Sequence, residues 1–127
     1  MRLINPDDIA KPASKYAQGV VHAAGAERLV ISGQVGARPD GTIEEGLEAQ
    51  MNRAWSNLLG VLRAAGFDKR HLVKVTTFVT VPGAVPTARE ARDRVLDGHL
   101  CASTYLQVAG LASPDYLVEI EAEAVKE

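Results

Sequence analysis

Apolar and polar residues alternate over two stretches near the C-terminal end of the chain, and this period of two predicts a pair of β-strands joined by a loop between Cys101 and Val125. In the first stretch Ser103, Tyr105 and Gln107 share one face, and Ala102, Thr104, Leu106 and Val108 share the other. In the second, Val118, Ile120, Ala122 and Ala124 form an apolar row. Leu117, Glu119, Glu121 and Glu123 lie opposite, so three carboxylates stand at spacing two. Such a row is either a solvated face or the wall of a polar pocket.

Upstream, Arg2 to Asn5 reads as a short edge strand, and residues 6–15, with two prolines, as a surface loop. Val20 to Ala24 and Arg28 to Ser32 flank a turn at Gly25-Ala26-Glu27, which predicts a β-hairpin. Gly33 follows directly, where a glycine permits a bulge or the close approach of another group. After the turn at Pro39-Asp40-Gly41, Thr42 and Glu45 fit a capping box. The helix predicted from there to about Ala65 carries Leu47, Met51, Ala54, Leu58, Leu62 and Ala65 on one stripe, with Gly66 as its stop. Trp55 is expected to pack on this helix, and Gly60 within it costs about 1 kcal/mol relative to alanine.

Leu72 to Val81 is rich in β-branched residues and predicts a strand with Val73, Val75, Thr77, Val79 and Val81 on one face. Pro82, Gly83 and Pro86 end it, and Thr87 with Glu90 suggests a second capping box. The short helix expected from there to about Asp97 has Ala88, Ala91 and Val95 on its inner side. The order β, β, β, α, β, α, β, β predicts an α+β fold, one mixed sheet with two helices on a single face. Phe78 and Tyr105 are assigned to the uncovered face, which argues for closed self-association.

Composition narrows the function. A chain of 127 residues suits one domain, 1–127, with a core that needs no disulfide or metal. The net charge of -2 and the lack of a basic run longer than Lys69-Arg70 argue against a nucleic-acid partner. No apolar run fits a signal peptide or a membrane span, so a soluble, cytoplasmic protein is expected. Cys101 is the only cysteine, and it reads as a small buried residue rather than a nucleophile. His22, His71 and His99 lack metal-ligand spacing, Ser103 has no evident histidine partner, and Gly33 with Gly36 makes no phosphate-binding loop.

Four segments, Tyr16-Ala17-Gln18-Gly19, Ile31-Ser32-Gly33-Gln34, Val73-Lys74-Val75-Thr76 and Val118-Glu119-Ile120-Glu121-Ala122, together resemble the Rid family. This family is also known as YjgF, and its members have been labelled L-PSP endoribonucleases. The resemblance runs from Asn5 to Val125. It implies a chorismate-mutase-like fold assembled as a homotrimer, with the sheets forming a central barrel and small-molecule clefts between subunits. It also implies hydrolysis of reactive enamines and imines to 2-keto acids and ammonia, without a metal or an organic cofactor. The family's cleft is lined by an early tyrosine, backbone at the SGQ glycine, an arginine on the penultimate strand and the first glutamate of the EIE run. By motif these are Tyr16 and Gly33 as substrate-binding residues and Glu119 as the catalytic acid or base.

The arginine is absent. Where the family pattern reads Pro-Ala-Arg-Ser, this chain has Cys101-Ala102-Ser103-Thr104, which resembles an arginine-lacking branch. Arginine holds a carboxylate through paired charge-assisted hydrogen bonds, whereas Ser103 offers one neutral hydroxyl. The loss corresponds to about 1.5–3 kcal/mol of binding. Lys15, Arg38 and Arg89 are the candidates for a replacement cation, and Ser103→Arg is expected to raise hydrolysis of 2-aminoacrylate. Tyr16 reads equally as a loop anchor, and Glu119 equally as one half of an ion pair across a subunit interface. Three functions stay open: an imine or enamine hydrolase, a non-catalytic metabolite-binding or chaperone-like trimer, and, least favoured, a ribonuclease.

Overall fold

The computed structural model describes residues 1–127, in the order β1 (Arg2–Ile4), β2 (Gly19–Val21), β3 (Glu27–Val35), α1 (Leu47–Ala64), β4 (Leu72–Val79), α2 (Val85–Leu96), β5 (Ala102–Gln107) and β6 (Val118–Lys126). A 3-10 turn at Lys69–His71 leads into β4. Four strands form one mixed sheet in the order β3-β6-β4-β5. β6 is antiparallel to both of its neighbours, while β4 and β5 run parallel, with α2 as the crossover that a parallel pair requires. Both helices pack on one face of this sheet, as the α+β reading predicts.

The core lies between that face and the helices. Met51, Ala54, Trp55, Leu58 and Leu62 of α1 are buried against Ile31, Val75, Val79, Ile120 and Ala122, and Ala88, Ala91 and Leu96 of α2 close the cluster. The apolar row of β6 supplies its centre, because β6 is an inner strand with an α1-facing side. Ala65, placed on the inner stripe by period, is exposed beyond the last turn.

The two helix ends differ in how well local rules describe them. At the C-terminus of α1 the rule holds: Gly66 has φ 78, its N–H reaches the Arg63 carbonyl at 3.1 Å, and the Phe67 N–H reaches that of Leu62 at 2.8 Å. These are the two bonds of a Schellman motif. At the N-terminus the expected capping box does not form. Gly46 caps the helix without a side-chain bond, and the Thr42 hydroxyl instead donates to Asp40 at 2.7 Å. Glu44, beside the expected box, accepts from Arg38 at 2.7 Å and Arg53 at 3.1 Å. The second box also fails: α2 begins at Val85 with Pro86 in its first turn, so Thr87 already lies inside the helix.

The hairpin between residues 20–24 and 28–32 is not formed either. β2 pairs with β1, Leu3 opposite Val20, whereas β3 pairs with β6, Ile31 opposite Ala122. Leu29 and Ile31 gain a place over the core beside β6, which a three-residue partner with Val21 exposed could not offer. Tyr105 is corrected as well. It stands opposite Thr77 on the helix-covered side, while Phe78, opposite Glu119, is on the open face as expected.

Candidate functional site

Tyr16 is fixed from both sides of its loop. The Ala17 N–H donates to the Cys101 carbonyl at 2.9 Å, and Ala17 forms a parallel bridge to Ala102 at the start of β5. The Ser14 hydroxyl, two residues earlier, accepts from Nη2 of Arg92 at 3.2 Å. Tyr16 is thereby carried to a cavity of about 210 Å³ between β5 and α2, lined by Ser14, Tyr16, Val85, Ala88, Arg89, Arg92, Ser103 and Tyr105. Two of the sequence-predicted site residues, Tyr16 and Ser103, therefore share one cavity.

Gly33 and Glu119 meet elsewhere. The β3–β6 register shifts between Ile31 and Gln34, so Gly33 sits in a bulge. Glu119 is opposite Phe78 in β4 and Val35 in β3, on the open face of the sheet. A Cβ placed on Gly33 would lie 2.6 Å from Cδ and 2.7 Å from Oε1 of Glu119. The carboxylate thus rests directly on the glycine backbone. Ser103 is in register with Val75 and so points to the helix side. Within one chain the four residues form two pairs on opposite faces of the sheet.

Charge is divided in the same way. On the open face Glu123 pairs with Arg28 at 2.8 Å, while Glu119 and Glu121 have no cation partner in the chain. On the cavity side stand two guanidinium groups, Arg89 and Arg92. Of the three proposed replacement cations, Arg89 is at the cavity, Arg38 is engaged with Glu44, and Lys15 is exposed outside the lining. Arg92 was missed by sequence reasoning. It lies four residues after Ala88, so helical period placed it on the inner side, but its charge argued for solvent.

Cys101 is 1% exposed beneath the same region. Burial pushes its thiol up to about 11, against the opposing pull of Arg92 and Lys74. At neutral pH it is a protonated packing group, in keeping with its reading from sequence. Burial also raises the Tyr105 hydroxyl from its ordinary value. No group of three His, Cys, Asp or Glu side chains is arranged to hold a metal ion, and no helix is long and apolar enough to cross a membrane.

Comparison with known proteins identifies the fold and the family. The family model described as Endoribonuclease L-PSP matches residues 7–126. Protein DfrA of Myxococcus xanthus is 32% identical over 126 residues, covering 98% of this chain and 95% of its own length. A 2-iminobutanoate/2-iminopropanoate deaminase of Mus musculus is 35% identical over 100 residues, covering 77% of this chain and 73% of its own. Among solved structures, the Rid-family protein YyfB of Yersinia pestis, described as of unknown function, superposes with a TM-score of 0.89 at 30% identity, covering 98% of this chain and 97% of that one. The architecture is the chorismate-mutase-like fold of these proteins. With nearly the whole chain matched in sequence and in shape, this protein belongs to the Rid/YjgF family, the family also described as Endoribonuclease L-PSP.

Proposed function

We propose that this chain is a single cytoplasmic Rid-like domain that forms a homotrimer and hydrolyses a small imine or enamine in a cleft between subunits. The observation that carries the reading is the placement of the two residue pairs on opposite sheet faces. Tyr16 and Ser103 of one copy meet Gly33 and Glu119 of another only if the open face of the second covers the cavity of the first. The likeness to a mammalian imine deaminase supports the reaction class.

In such a cleft, backbone amides near Gly33 polarise the substrate and Glu119 manages the protons. Water adds its oxygen to the C=N carbon, the C–N bond then breaks, and the products are a carbonyl compound and ammonia. Glu119 takes a proton from the attacking water and returns one to the leaving nitrogen, so no electron acceptor is needed. Ser103 places the chain in the branch that lacks the strand arginine. A ribonuclease is disfavoured because Glu119 and Glu121 stand on the open face without a cation partner and repel a phosphate backbone.

The test is hydrolysis of freshly generated 2-aminoacrylate by the purified protein beside Glu119→Gln. Acceleration that the substitution lowers by about a hundredfold or more supports the assignment. A folded wild-type protein with no effect on the rate would instead leave a metabolite-binding role.

A further inference from the structure

We infer that Arg92 and Arg89 of α2 bind a small carboxylate in the cavity beside β5, supplying from the helix the charge that Ser103 does not supply from the strand. The inference rests on reading that cavity as part of the ligand cleft, and it adds the chemical class of ligand and the residues that select it.

Arg92 is 8% exposed, and a guanidinium buried at a position flanked by Ala88, Ala91 and Leu96 must be partnered. Its neighbour Asp93 takes Nε and Nη2 through one oxygen, both at 3.0 Å, and Ser14 takes Nη2 at 3.2 Å. Nη1 has no acceptor in the chain, yet it is not among the enclosed polar atoms that lack a partner, so it keeps an open side. Arg92 lines the cavity, and the open side is available to a ligand there.

Arg89 is one turn earlier on the same helix face and forms no ion pair, whereas its neighbours Arg92 and Arg94 pair with Asp93 and Glu90. An anion in the cavity would therefore meet one guanidinium without an ion pair, Arg89, and the unpartnered Nη1 of Arg92. The lining contains no carboxylate that could take that place from within.

Size and polarity select the ligand further. About 210 Å³ is room for roughly seven water-sized groups, enough for a three- or four-carbon acid and too little for a nucleotide. Val85 and Ala88 give an apolar wall, and the hydroxyls of Tyr16, Ser103 and Tyr105 surround the remainder. Such a site takes a short carboxylic acid with one further polar group.

The experiment is calorimetric titration with 2-oxobutanoate and with its neutral amide, on wild-type protein, Arg89→Gln and Arg92→Lys, with circular dichroism to confirm folding. Arg92→Lys keeps a cation but loses the planar fork. Wild-type protein is expected to bind the acid at least about tenfold more tightly than the amide, and each variant to lose most of that preference. Adding Ser103→Arg to Arg89→Gln should restore it by returning the cation to the strand. In the wild-type background the same change adds a third guanidinium to the cavity, so its gain should be smaller than in Arg89→Gln. Equal affinity for acid and amide, no binding of either, or acid binding unchanged in both variants would overturn the inference. Arginine-dependent binding without turnover of 2-aminoacrylate defeats the hydrolase reading alone. Turnover with a KM indifferent to both arginines defeats the clamp alone.

Discussion

Gly33 owes its place to space rather than to backbone angle. Its φ is not among the positive values of the chain, yet any Cβ there collides with the Glu119 carboxyl group. The colliding atoms are the far end of a flexible side chain, so the fold can yield by turning Glu119 aside. Gly33→Ala should therefore leave the unfolding free energy from urea denaturation within about 1 kcal/mol of wild type. Under the proposed mechanism hydrolysis should nonetheless fall about tenfold or more, because a displaced carboxylate would no longer meet the proton assigned to it. Full activity in this variant would show that Glu119 need not rest against the glycine. The glycine and the glutamate stood out in the sequence as a strand-end glycine and part of an alternating acidic row, and the family resemblance singled them out as site candidates. Their contact was not legible there, since it depends on a bulge and on a pairing of β3 with a strand some ninety residues away, which no local pattern encodes. Arg92 was hidden for a different reason: charge predicts exposure on average, and Arg92 is buried through its pairing with Asp93 and Ser14.

Elements were legible where their own residues decide them and not where competition does. The end of α1 followed from Gly66 because a left-handed residue is needed there and glycine supplies it without steric cost. The start of the same helix did not follow from Thr42 and Glu45, because Asp40 captured the threonine and a nearby arginine pair fixed the loop through Glu44. Gln50 shows how tightly that region is tied to the site. Its side chain is 3% exposed; Nε2 donates to the carbonyls of Glu44 at 3.1 Å and Asp115 at 3.0 Å, and Oε1 accepts from the Leu117 N–H at 2.8 Å. One α1 residue thus pins the loop before β6 immediately ahead of Glu119. Gly36 packs against it, since a Cβ there would lie 2.6 Å from the Gln50 Cα. Gln50→Leu keeps the bulk but orphans three backbone groups, so it should cost about 2–3 kcal/mol. Urea denaturation should show a lower midpoint at unchanged slope. A stability equal to wild type would mean that water replaces all three bonds.

At the scale of the whole molecule, the sheet has two unlike faces, and each holds half of the proposed site. The helix side offers a cavity with two arginines, Tyr16 and Ser103. The open side offers Glu119 on Gly33, together with exposed Val30 and Leu106 and half-buried Phe78. Apolar groups among charges on a sheet face suit contact with another copy, and the opposite charges of arginine cavity and acidic row suit a head-to-tail arrangement that closes into a ring. The expectation of self-association rested on Phe78 and Tyr105, of which only Phe78 lies on the open face, and sorting the site residues by face required the strand order β3-β6-β4-β5. If sites form only between copies, two inactive variants should rescue each other. Tyr16→Phe damages one half and Glu119→Gln the other, so co-expressing them in equal amounts leaves each site a chance of drawing both intact halves from different subunits. Random mixing in a closed ring predicts that about one quarter of the sites are whole. Activity toward 2-aminoacrylate should then recover to about a quarter of wild type, while mixing the two purified proteins without subunit exchange should recover none. If each chain instead carried a complete site, every site in the co-expressed protein would keep one lesion, and the activity would stay at the average of the two variants.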